Sequence, residues 1–255
     1  MSETTLYSMV ICPFAQRTRI HLARKGIDFD LVNLDICAPR PDWYLKLNPK
    51  GQVPTLKVGE HTVSDSNAVS EYIEAAFPGT DLYFGDATIR AHIGSLMEFV
   101  DRAFIPRLYH LLAAATREER TQRIERAQET FAWLDAWLKE AFDAGYPEHE
   151  IGMAEIVVAP FLLRYEVVAY YQDFDVAGCE QLHHFNAWRA RLLAETLVVE
   201  TAESLEDLIK MYADYTIGYY NGAVPPNQER SSSDLSIPLS TRPLPPKAKS
   251  VRRVA

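Results

Sequence analysis

Cys12 is followed directly by Pro13, where an apolar strand pattern gives way to a helical one. Proline suits the first helical position, because its missing N–H would have no partner there. A helix start presents N–H groups and a partial positive charge, and both favour thiolate over thiol. Cysteines so placed have pKa values lowered from ~8.5 toward ~3.5–7.5. Arg17 and Arg19 add positive charge within two turns. Position 15 is Ala, so no Cys-x-x-Cys partner stands ready to resolve an intermediate. Exchange at Cys12 would then be monothiol: a mixed disulfide forms and an outside thiol releases it. The competing reading is a buried structural cysteine, a common fate of this residue type.

Two further positions carry chemistry. Pro54 stands just ahead of an apolar run, where proline is tolerated at a strand's first residue or edge. A cis bond before it would expose the Val53 backbone N–H and C=O to an extended ligand, but cis is ~5–6% of X–Pro bonds, so position alone does not establish it. Asp65-Ser66 opens a helix, with Ser66 as the expected N-cap, nearby N–H groups able to hold a carboxylate, and Asp65 able to take an ammonium group. Taken alone, Ser66 is an ordinary cap. A ligand with an amino-acid end, a peptide middle and a thiol satisfies all three places.

The chain has 255 residues, 47% hydrophobic and 24% charged, which excludes wholesale disorder, collagen and coiled coil. Its net charge of −9 makes it a poor nucleic-acid binder. No apolar run approaches the ~18–20 residues of a membrane span. The first residues lack the basic-then-apolar pattern of a signal peptide, so a cytoplasmic location is expected and no membrane partner. Three cysteines (Cys12, Cys37, Cys179) make no disulfide framework. No His-Glu-x-x-His or Cys/His cluster is present, so no metal is expected; no phosphate-binding glycine motif supports a nucleotide.

These residues need elements to position them. Thr5 to Ile11 reads as a strand, and the following helix runs to Lys25 before Gly26. Asp28 to Asp35 reads as a second strand, with Phe29, Leu31 and Ile36 inward. Val53–Val58 and His61–Ser64 flank Gly59-Glu60 as a hairpin, and a helix from Ser66 reaches Phe77 before Pro78-Gly79. The order β-α-β, β-β-α over residues 1–80 predicts an α/β N-terminal domain of the thioredoxin kind. Residues 78–85 lead into an all-α C-terminal domain over 86–222. There Ile89, Ile93, Leu96, Met97, Val100, Phe104, Leu108 and Leu111 form one stripe. Phe131 to Phe142 repeats the pattern, 155–171 is apolar nearly all round, and helices fit 181–195 and 204–219. Residues 223–255 hold six of the fifteen prolines and six serines, with six basic and two acidic residues. They form an extended or disordered arm.

Cys12-Pro13-Phe14-Ala15-Gln16-Arg17-Thr18-Arg19, Arg40-Pro41-Asp42-Trp43, Asn48-Pro49-Lys50-Gly51-Gln52-Val53-Pro54 and Asp65-Ser66 together resemble the cytosolic glutathione transferases, and the Cys12 run is similar to their omega class. The resemblance covers residues 5–222. It implies glutathione as co-substrate and Cys12 as the catalytic thiol. It implies a glutathione site of Phe14, Arg40, Gln52, Val53, a cis Pro54, Asp65 and Ser66, and a homodimer. Within the omega-like set, Pro39 to Trp43, Tyr212-Ala213-Asp214-Tyr215-Thr216, Asn221-Gly222 and Thr241-Arg242-Pro243-Leu244-Pro245-Pro246 resemble the glutathione lyases of bacterial lignin aryl-ether breakdown. That likeness implies removal of glutathione from an aromatic ketone thioether, and an ordered arm. General reduction of disulfides or dehydroascorbate by the same thiol, and a non-catalytic binding module of this fold, are the alternatives.

Tyr165, Tyr212, Tyr215, Tyr219 and Tyr220 form an aromatic concentration. Tyr212, Tyr215 and Tyr219 recur at three and four, one helix face. Either they pack the core, or they line a pocket for a hydrophobic aromatic substrate. In the second case Tyr165, Tyr212 and Tyr215 are the candidates, since a phenol near a ketone oxygen would stabilise enolate charge. Where the family usually caps the buried helix with Ser or Thr and an Asp, this chain has Gly152 and Glu155, which predicts half a capping box. Pro160 should kink that helix or fall near its start.

Overall fold

A computed structural model describes residues 3–36, 38–176, 181–218, 230–232 and 234–243. Cys37, Cys179, Tyr219, Tyr220, Asn221, Gly222 and Leu244-Pro245-Pro246 lie outside the described residues. The chain divides into two compact units. The first comprises 1–97, 146–160 and 194–202, and the second 98–145, 161–193 and 203–255.

In the first unit, β1 (Thr4–Ser8), β2 (Asp30–Asn33), β3 (Thr55–Val58) and β4 (His61–Ser64) form a sheet in the order β2-β1-β3-β4. β1 and β2 run parallel, and the other pairs are antiparallel. Helices α1 (Pro13–Arg24) and α3 (Ser66–Ala76) pack on one face, where Leu6, Leu22, Leu56, Val69 and Ile73 are fully buried. Each such side chain stabilises the fold by about 1.5–3 kcal/mol. Tyr7 points to the opposite face, and its ring lies 5.6 Å from Tyr44 and 5.8 Å from Trp43 of α2 (Asp42–Leu47).

The second strand departs from expectation. Leu31 and Ile36 are exposed, and the inward set is Val32 and Leu34. β2 is an edge strand four residues long, and Leu31, although paired with buried Leu6, stays exposed at that edge. β1 also ends at Ser8, and Met9–Ile11 form a turn closed by Cys12 N–H donating to the Met9 carbonyl at 3.1 Å.

The stripe from residue 89 to 111 is not one helix. It runs through α4 (Ala87–Phe99), a π turn (Val100–Phe104) and α5 (Ile105–Leu112). Pro106 has no N–H to continue an α ladder, and the wider turn ahead of it still keeps Val100, Phe104 and Leu108 buried. Then follow α6 (Arg117–Asp143), α7 (Met153–Gln172, with Pro160 inside), α8 (His183–Ala194), α9 (Thr196–Glu200) and α10 (Leu205–Tyr212), which a 3-10 turn (Ala213–Ile217) ends. Phe131 centres the aromatic core of the second unit, 4.8 Å from Phe185 and 5.0 Å from Tyr165. Among the described residues, no helix is long and apolar enough to cross a membrane.

The described part of the arm is tied to α10 and the turn after it. Arg230 meets Asp214 at 3.0 Å, Ser231 N–H donates to Asp214 at 2.6 Å, and Lys210 donates to the Leu235 carbonyl at 2.7 Å.

The start of α7 bears out the half capping box. Gly152 N–H donates to Glu155 Oε2 at 3.0 Å. The missing hydroxyl comes from elsewhere: Tyr146 Oη accepts from Ala154 N–H at 3.3 Å and donates to Glu155 at 2.7 Å. A Cβ on Gly152 would collide with that hydroxyl, with Phe84 and with the Leu82 carbonyl, so glycine is required at this position.

Candidate active site

Cys12 is the N-cap residue of α1, with φ −72° and ψ 115°, and Pro13 takes the first helical position. The Cys12 side chain makes no cap hydrogen bond, and the first turn carries no acidic residue. The positive end of α1 therefore lies beside Cys12 without a compensating carboxylate in that turn. Cys12 is half-buried and outside any disulfide, and its Sγ lies 3.9 Å from the Val53 carbonyl oxygen.

The Val53–Pro54 bond is cis. Its loop is held from beneath by Tyr44, Asn48 and Thr55, none of which is among the expected site residues. The Gln52 carbonyl accepts from the fully buried Tyr44 hydroxyl and from Asn48 Nδ2 at 2.9 Å. Thr55 Oγ1 joins Tyr44 at 2.9 Å and Asn48 at 3.0 Å. Burial pushes the Tyr44 phenol above its ordinary pKa, so it remains a donor. Gln52 itself is exposed. Arg40 uses its guanidinium on backbone: Nε donates to Gly51 at 3.1 Å, and Nη1 to Asp35 at 3.0 Å and Ala38 at 3.3 Å. Gly51 sits at φ +63°, and a Cβ there would press on Arg40 and Leu45 at 3.3 Å.

The cap of α3 is Asp65, not Ser66. Asp65 Oδ1 accepts from Asn67 N–H at 3.0 Å and Ala68 N–H at 3.2 Å. Asp65 holds φ +82°, a conformation that costs a non-glycine residue about 1–3 kcal/mol and recurs at ligand sites. Ser66 is the first helical residue, and its hydroxyl accepts from Arg17 Nη1 at 3.1 Å. The shift by one residue follows from side-chain reach: a carboxylate one position earlier bonds both open N–H groups at once.

Two clamps hold α1 against α3. Buried Arg17 reaches Ser66, stacks over Phe14 at 5.3 Å, and donates to the Val157 carbonyl at 2.9 Å. One turn on, Glu74 accepts from His21 Nε2 at 2.8 Å, Lys25 at 3.1 Å and Leu82 N–H at 3.0 Å. Burial would raise the Glu74 carboxyl, but these three donors outweigh it and hold it at about 2. Burial lowers the His21 pKa despite Glu74. Its buried Nδ1 has no hydrogen-bond partner among the described residues, which fits a neutral ring donating from Nε2.

Cys12, Phe14, Arg40, Gln52, Val53, Pro54, Asp65 and Ser66 thus all belong to the first unit. The tyrosines belong to the second. Tyr165 is fully buried against Phe104 and Phe131, and its hydroxyl donates to the Phe104 carbonyl at 3.3 Å. Tyr212 is 2% exposed and stacks on Tyr215 at 5.0 Å. Sequence spacing missed two members of this cluster. Arg164 Nε donates to Tyr212 Oη at 3.4 Å, and the Tyr109 hydroxyl lies 3.4 Å from the same oxygen. Burial, reinforced by Tyr212, pushes the Tyr109 phenol well up.

The family model that matches, over residues 11–76, is that of the glutathione S-transferase N-terminal domain. A probable glutathione transferase of Aplysia californica is 43% identical over 81 residues, 32% of this chain and 87% of that one. The chain therefore belongs to the glutathione transferase family. Among its relatives, glutathione S-transferase omega-1 of Rattus norvegicus is 28% identical over 168 residues, 65% of this chain and 68% of that one. A rice glutathione transferase solved in complex with glutathione aligns with TM-score 0.74 and 24% identity, over 86% of this chain and all of that one, and has the same fold.

Proposed function

We propose that this omega-type transferase removes glutathione from an aromatic ketone thioether or a mixed disulfide through Cys12. The observation that carries the reading is a cysteine at an uncapped, acid-free helix start, 3.9 Å from the carbonyl that precedes a cis proline. The Cys12 thiolate attacks the glutathione sulfur of the thioether. A Cys12–glutathione disulfide forms, and the carbon–sulfur bond breaks. Its electron pair passes to the carbon α to the ketone as an enolate, which takes a proton to give the reduced ketone. A second glutathione, as thiolate, attacks the mixed disulfide, releasing oxidised glutathione and restoring Cys12.

Val53 backbone groups pair with the cysteinyl part of glutathione, and Phe14, Gln52 and cis Pro54 flank it. Asp65 and Ser66 hold the γ-glutamyl end, where the start of α3 favours a carboxylate. Arg40 shapes the loop through Gly51. Tyr165, Tyr212 and Tyr215 are the residues assigned to the hydrophobic substrate; Tyr215 is the partly exposed one, while Tyr165 and Tyr212 are buried. The reaction consumes reduced glutathione, which accords with a cytoplasmic homodimer in a reducing compartment.

The test is steady-state turnover of S-phenacylglutathione against a glutathione mixed disulfide, in wild type and Cys12→Ser. The reading expects both activities, faster on the thioether, and both lost in the variant. Turnover of the disulfide alone points to a general disulfide or dehydroascorbate reductase. Full activity in Cys12→Ser contradicts the mechanism, and absent glutathione binding by calorimetry leaves a non-catalytic module.

A further inference from the structure

A second feature is built from residues that the glutathione reading does not use. Within the second unit, a cleft of about 580 Å³ opens between the π turn with α5 and the facing length of α6. Arg102, Arg107, Arg123 and Arg126 line it, with His110 and a lone lining carboxylate, Glu129. This concentration of guanidinium groups stands in a chain of net charge −9. On α6 the arginines recur every third residue, at Arg117, Arg120, Arg123 and Arg126.

The cleft is built rather than incidental. Its two walls are cross-tied by reciprocal bonds: Arg107 Nη1 donates to the Arg126 carbonyl at 2.8 Å, and Arg123 Nη1 donates to the His110 carbonyl at 2.6 Å. Arg107 also meets Glu129 at 3.2 Å, and Arg123 meets Glu119 at 3.4 Å. Arg102 pairs with Glu98 at 3.3 Å. Those pairs answer three of the four guanidinium charges. The guanidinium of Arg126 and the imidazole of His110 have no side-chain partner among the described residues.

We infer that this cleft binds a small multivalent oxyanion, a phosphate or sulfate ester. A planar guanidinium pairs bidentately with such a group. The two held arginines pre-set the cradle, and Arg126 and His110 supply the donors still to be satisfied. A compact dianion matches the uncompensated Arg126 guanidinium, with the His110 imidazole beside it as a further hydrogen-bonding group.

The experiment is calorimetric titration of the full chain with inorganic pyrophosphate, with inorganic phosphate and sulfate as parallel arms, at low and high salt. Arg102 and Arg126 are exposed, so the Arg102→Gln/Arg126→Gln double variant should keep the wild-type melting temperature. The expected result is saturable pyrophosphate binding at one site per chain. It should weaken roughly tenfold or more in the double variant, stay unchanged in Arg24→Gln, and decline with added salt. Comparison of the phosphate and sulfate arms tells which ester class the cleft prefers. No saturable heat in any arm, or equal affinity in wild type and the double variant, would overturn the inference. So would equal weakening in Arg24→Gln, which signals general charge attraction.

Discussion

Two helix starts in the first unit are treated in opposite ways. At α7 the exposed polar groups are answered from within: Glu155 takes the Gly152 N–H, and Tyr146 takes the Ala154 N–H. At α1 the cap residue is Cys12, its side chain makes no cap hydrogen bond, and the first turn is without acid. A start answered by its own protein holds a fold together. A start left for a sulfur keeps its positive end available to an anion. The difference separates stability from activity, and substitutions should separate them too.

Cys12→Ser should show the largest effect, a loss of roughly 10³-fold or more in glutathione transfer, with the urea midpoint unchanged. A shifted midpoint would mean that the α1 start also carries stability.

Acid should act next, through the α1–α3 clamp. Glu74 is held at about 2 against an ordinary 4.5, so its contribution is complete above pH ~4.5 and lost as pH falls toward ~2, up to about 3 kcal/mol. His21, lowered by burial, adds a loss in the same direction, because the unfolded chain takes up that proton below pH ~6.5. Urea midpoints measured against pH should therefore fall below ~6.5 and steepen below ~4.5, and Glu74→Gln should flatten the second leg.

At α7, Gly152→Ser should destabilise by about 2 kcal/mol, since its Cβ has no room. Tyr146→Phe should cost about 1 kcal/mol by orphaning Ala154 N–H. Thermal melts check both, and the glutathione KM should not move in either. The smallest effect tests α3: Asp65→Asn keeps an oxygen for the cap, so the melting temperature should hold while the glutathione KM rises severalfold.

What could be read from residues was whatever announces itself locally. Pro13 after Cys12, Pro54 before an apolar run, and Gly152 with Glu155 each carry a local rule, and each element formed where the rule put it. What escaped depends on neighbours distant in the chain. Helix α2 is six residues long, too short to show a period, yet it delivers Tyr44 to the Gln52 carbonyl. Tyr146 caps a helix it does not belong to. The exposure of Leu31 follows from the edge position of β2 in the sheet, which no single strand specifies. Ser66 is the expected cap and Asp65 the expected ammonium partner, whereas Asp65 takes the cap through Asn67 and Ala68 N–H.

The most direct measurement is the mass of the Cys12 peptide after one turnover of S-phenacylglutathione without added glutathione. The account predicts released acetophenone and one glutathionyl group on Cys12, removed when glutathione is supplied. Acetophenone released in stoichiometric amount with Cys12 unmodified would contradict it.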